Sequence, residues 1–146
     1  MKRLAFLPAA LPAIILAGCA PADAGTAGER QSARILTLRL SEAGRVGGAR
    51  ITPLAVVEDS RCPAGVQCVH AGTVRVITRI SAASGKDEPV LALGQPRRVR
   101  ELWVTLLGAC PTPRVGVRMG AAEYRLSFAL RQDVAAAQPP TPPPCR

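Results

Sequence analysis

Residues 124–131 alternate with a period of two. Tyr124, Leu126, Phe128 and Leu130 fall on one side of an extended chain, and Arg125, Ser127, Ala129 and Arg131 fall on the other. A strand sends successive side chains to opposite faces, so this pattern predicts a half-buried antiparallel strand. Residues 35–40 repeat it, with Leu36, Leu38 and Leu40 opposite Thr37 and Arg39. Further short apolar runs occupy 49–58, 73–80, 90–93 and 99–107. Turn formers separate them: glycines in Ser41–Gly48, Gly85-Lys86-Asp87-Glu88-Pro89, and Gly94-Gln95-Pro96. Pro53 has no N–H to give a ladder and should mark an edge or a bulge. Six or seven strands across residues 34–131 predict an all-β domain, a small antiparallel β-sandwich or barrel, with the strand order left open. With 48% apolar residues in 146, the chain is too hydrophobic for disorder and sized for one domain.

The N-terminus reads as an address. Lys2 and Arg3 precede an apolar run from Leu4 to Leu16 that holds Pro8 and Pro12, and small residues lead to Cys19. This is the order of a secretory signal, and it is shorter than the roughly 20 residues of a spanning helix. Leu16-Ala17-Gly18-Cys19 resembles the lipobox of bacterial lipoproteins. That resemblance implies cleavage after residue 18, lipidation of Cys19 (palmitate among the acyl chains), and outer-membrane sorting, because Ala20 stands where an aspartate favours inner-membrane retention. Each buried methylene is worth about 0.8 kcal/mol, so two or three chains hold firmly where one does not. Residues 19–33 form the lipidated end and a small, polar tether with a reach of roughly 20 Å. Residues 132–146 hold five of the 14 prolines and are expected to be an extended, poorly packed tail.

Export to an oxidising compartment makes Cys62, Cys68, Cys110 and Cys145 disulfide candidates, with three connectivities open. Cys62 and Cys68 bracket the turn-rich Pro63-Ala64-Gly65-Val66-Gln67, which favours their pairing and leaves Cys110 with Cys145 as the default second bridge. The stretch from Glu58 to Gly72 resembles a segment of uncharacterised small bacterial lipoproteins and secreted proteins that read D-S-R-C-P, two residues, V-x-C-x-W-A-G. His70 stands in place of the tryptophan. If that tryptophan anchors packing, His70 should pack less well or lie near the surface. The resemblance implies class and location and carries no reaction.

Glu58, Asp59, Arg61 and His70 make the segment a candidate binding loop, with Arg61 in reach of Asp59 or Glu58. A hydrolase would have to run through His70, the sole histidine, oriented by Asp59, yet no serine carries a nucleophile-elbow motif. A metal site would use Cys62, Cys68 and His70, but both thiols would have to stay reduced after export. No cofactor is expected.

The formal net charge is +9, two of it in Lys2 and Arg3. Arg39, Arg75, Arg79, Arg100, Arg125 and Arg131 fall on polar faces of the expected strands. If those strands share a sheet, Arg75, Arg79, Arg125 and Arg131 form a basic face for an anionic envelope component. Nucleic acid is a poor partner, since few aromatics remain to stack bases.

The expectation is a cell-envelope lipoprotein facing the periplasm, held to the membrane by its N-terminal lipid, with a non-catalytic binding or structural role toward an anionic envelope component or an envelope protein. The alternative is an exported metal-binding protein or hydrolase centred on His70, Asp59, Cys62 and Cys68. Thiol titration of the purified protein should find no free thiol at Cys62 and Cys68. A reduced pair that retains zinc or copper would overturn the structural role of that bridge.

Overall fold

A computed structural model describes residues 33–132 and 140–145. The expected signal at 1–18, the expected lipidation site Cys19 and the expected tether up to residue 32 lie outside the described residues. In chain order the strands are β1 (Arg34–Arg39), β2 (Gly44–Val46), β3 (Ala49–Asp59), β4 (Val74–Ala82) and β5 (Gly85–Asp87). β6 (Val90–Ala92), β7 (Pro96–Val99), β8 (Leu102–Cys110) and β9 (Arg125–Arg131) follow, with one 3-10 turn at Ala121–Glu123. Every strand pairing is antiparallel. One sheet has the order β1-β9-β8-β7; the other runs β2-β3-β4-β5, with β6 also on β4. β5 and β6 share one edge of β4, at Ile80–Ala82 and Arg75–Ile77 respectively.

The two sheets form a β-sandwich whose core is supplied by the alternating positions. Leu126, Phe128 and Leu130 of β9 and Val104 and Leu106 of β8 meet Ile51, Val74, Val76, Ile80 and Leu91 of the other sheet. The chain crosses between sheets at Leu93 and Gly94, where the Gly94 N–H donates to the Leu106 carbonyl at 2.8 Å. Pro53 sits at a register shift in β3, as its missing donor requires.

Nine strands are present among the described residues, against six or seven expected. The additional ones, β2, β5 and β7, are three or four residues long and lie in segments whose glycines and charges read as turns. The expected strand at 99–107 is two strands, because Arg100 adopts a left-handed φ of 55° and turns the chain into the β7–β8 hairpin.

The outer face of the β9 sheet also departs from expectation. Ser127 and Ala129 are buried, although they point away from the core. The register slips between Leu106 and Gly108, and a Cβ at position 108 would lie 3.1 Å from Pro142. The proline-rich segment expected to be poorly packed therefore approaches β8 over a residue with no side chain. A Cys110–Cys145 disulfide fastens it there.

Thr78 is fully buried on the inward face of β4, and its hydroxyl has no hydrogen-bond partner. A buried hydroxyl without a partner costs about 1–3 kcal/mol. Thr78→Val keeps the shape and should raise stability to urea by about 1 kcal/mol; a clear loss would show that the hydroxyl is satisfied.

Candidate functional site

The loop from Ser60 to Thr73 joins β3 to β4, so its ends are held by a strand pair. The Ser60 N–H donates to the Thr73 carbonyl at 2.8 Å, and the Thr73 N–H donates to Ser60 Oγ at 3.0 Å. Gly72 closes this base with φ of 67°, and a Cβ there would lie 1.8 Å from the Ser60 carbonyl oxygen. Only glycine fits. Within the loop Cys62 and Cys68 form a disulfide. Ala64 bridges to Arg114, with its N–H donating to the Pro113 carbonyl at 2.8 Å. The bridged loop thus lies against the β8–β9 connection, and Val66, Val69, Val115 and Val117 are exposed on the two segments.

Beneath this loop one ion pair spans the sandwich. Asp59 ends β3, and Arg61 folds back to meet it as a fork: Nε to Oδ1 at 2.9 Å and Nη2 to Oδ2 at 2.8 Å. The remaining donors of Arg61 reach the other sheet, Nη1 to the Ala109 carbonyl and Nη2 to the Pro111 carbonyl at 3.0 Å. The Tyr124 hydroxyl, just before β9, donates to Asp59 Oδ2 at 2.9 Å. The side chains of Arg61 and Asp59 are only 12% and 10% exposed, which removes them from the class of surface pairs worth little. Burial by itself raises the Asp59 carboxyl, but the hydrogen bonds from Arg61 and Tyr124 and the guanidinium charge outweigh it and hold it below its ordinary value. Burial and then the bond to Asp59 push the Tyr124 hydroxyl up to about 12.

Arg61 therefore selects Asp59, while Glu58 accepts from Ser60 Oγ and pairs with Arg75 across the β3–β4 ladder at 3.6 Å. His70 is exposed. Asp59 bonds to Arg61 and Tyr124, so it does not orient His70. Both sulfurs of the C-x5-C-x-H set are joined to each other, and no three His, Cys, Asp or Glu side chains converge among the described residues. Tyr124 was legible as a core residue but not as an Asp59 partner. The alternation marks which face it takes and says nothing of where its hydroxyl ends.

The single basic face is corrected by the topology. Arg75 and Arg79 lie on β4, whereas Arg125 and Arg131 lie on β9 in the other sheet. Arg79 pairs with Glu88 at 2.7 Å. Arg125 instead lines a cleft of about 700 Å³ beside the β8–β9 connection, together with Arg39 and Arg114, which spacing along the chain did not bring together. No family model, no curated protein and no solved structure matches the chain.

The ion pair makes the stability of the fold depend on pH. A carboxyl held below its unfolded value contributes fully above that value, about 4, and loses its contribution as pH falls through the folded pKa. Asp59→Asn should therefore cost about 3 kcal/mol near neutrality, with a difference from wild type that shrinks in acid. Tyr124 works in the opposite direction: its contribution is complete below about pH 10 and is lost as pH rises toward its folded value. Tyr124→Phe should abolish that alkaline loss. Urea unfolding across pH checks both, and a pH-independent Asp59→Asn difference would reject the assignment.

Proposed function

We propose that this protein is a cell-envelope lipoprotein, anchored through acyl chains on Cys19 in the outer membrane and facing the periplasm. Its disulfide-stabilised β domain binds a partner or serves structure; it does not catalyse. The observation that carries the reading is the pair of bridges, Cys62–Cys68 and Cys110–Cys145, in one small domain. Such bridges persist where the compartment is oxidising, which agrees with a chain that begins with an export signal and a lipobox-like Cys19.

The non-catalytic role rests on what the candidate reactive groups are doing. Asp59 is saturated by Arg61 and Tyr124, and Cys62 and Cys68 are bonded to each other. The metal-binding or hydrolytic alternative centred on His70 is therefore not favoured. Exposed valines on two joined loops are the kind of surface a partner covers. Anionic envelope components suit the basic chain, and an envelope protein suits the valines.

Metabolic labelling with an alkyne fatty acid tests the anchor. The wild-type chain should take up label and sediment with membranes, whereas Cys19→Ser should lose the label and either leave the membrane or remain unprocessed. Normal membrane partitioning of Cys19→Ser would overturn the anchor.

A further inference from the structure

Arg39, the last residue of β1, stands directly across from Arg125, the first of β9. Like charges in register across a ladder destabilise a sheet. Arg114 from the β8–β9 connection lines the same cleft, and among the described residues none of the three makes an ion pair. The lining carboxylate, Glu123, turns back to accept from the Gly120 N–H, and Glu42 spends its Oε2 on the backbone N–H of Arg39. Among the described lining residues, three guanidinium groups and one carboxylate leave an excess of about two positive charges, which Glu42, at the backbone of Arg39 and outside the lining, offsets only from the rim.

Arg45 and Arg50 form a second cross-strand arginine pair, on β2 and β3, but they do not line the cleft. Position, not arginine content, distinguishes Arg39 and Arg125. The cleft also has apolar walls in Val117 and Met119, and its volume of about 700 Å³ suits a ligand much larger than a bare anion.

From this the geometry points to a binding site for a phosphate monoester that carries an apolar body. A phosphate monoester brings a charge of about −1.5 to −2 at neutral pH, which matches the excess in the cleft better than a single carboxylate does. Guanidinium groups present paired donors to phosphate oxygens, and Val117 and Met119 meet the apolar part. The ligand then supplies the counter-charge that Arg39 and Arg125 lack in each other's company. This deepens the binding role proposed above and rests on that role alone; the lipid anchor at Cys19 stands or falls by its own experiment.

Calorimetric titration of the purified full chain in a non-ionic detergent tests the site, with dihexanoyl phosphatidic acid, inorganic phosphate and dihexanoyl phosphatidylcholine as probes. The phosphatidic acid should bind at least tenfold more tightly than either of the other two, and added salt should weaken it. Arg39→Gln and Arg125→Gln should each weaken it at least tenfold without lowering the unfolding midpoint of the free protein, because each removes a repulsion. Arg45→Gln should leave binding unchanged. Equal affinity for inorganic phosphate would overturn the apolar body, and equal affinity for the choline lipid would overturn the role of charge. Unaltered binding in Arg39→Gln and Arg125→Gln would overturn the site itself.

Discussion

The Arg61 guanidinium is where the two sheets are tied at the loop end of the sandwich. It holds Asp59 at the end of β3 and at the same time caps carbonyls at Ala109 and Pro111, on either side of the bridged Cys110. Tyr124 completes the carboxylate from the start of β9. Both charges are largely out of water, and a buried pair repays its desolvation only when its remaining donors and acceptors are satisfied, as they are here. Lysine could not replace Arg61, because a single ammonium cannot fork onto a carboxylate and reach two carbonyls from one plane. The disulfide loop, the β8–β9 connection and the cleft beside it all lean on this arrangement.

The bridges complement a modest core. Aromatic residues are 3% of the chain, and Phe128 is the only one among the largest fully buried side chains of the described residues. In the chain-entropy account, whose mechanism is disputed, closing the short Cys62–Cys68 loop is worth roughly 2 kcal/mol and the longer Cys110–Cys145 loop roughly 4 kcal/mol. The second bridge acts locally as well. It holds the proline-rich segment near Gly108 and forms part of the cleft lining.

Much of this was readable from the chain because period-two alternation is a statement about faces. It located Leu38, Tyr124, Leu126, Phe128 and Leu130, all of which are buried. It could not order the strands, so Arg75 and Arg125 looked like neighbours until β4 and β9 fell in different sheets. The shortest strands escaped because three residues carry too little period to see, and β2 and β5 are built on the glycines of expected turns. Asp59 and Glu58 were both legible as partners within reach of Arg61 because they lie two and three residues away, and the fold selects Asp59; the bond from Tyr124 spans 65 positions and depends on the fold throughout. The cleft was illegible for the same reason: Arg39, Arg114 and Arg125 come from the first strand, a connection and the last strand.

The pairing of β1 with β9 has a mechanical consequence. Arg34 enters the sheet beside Leu130, and the six-residue strand ends at Arg39, opposite Arg125 and the cleft. That run is about 20 Å long at the rise of an extended chain. On the proposed anchorage, tension between the membrane and a ligand held in the cleft would be directed along β1. The rungs between β1 and β9 lie crosswise to that line and would share the load in shear, where peeling the strand from one end would break them one at a time. An edge strand that looks like the simplest part of the fold is thus placed to act as its load-carrying tendon.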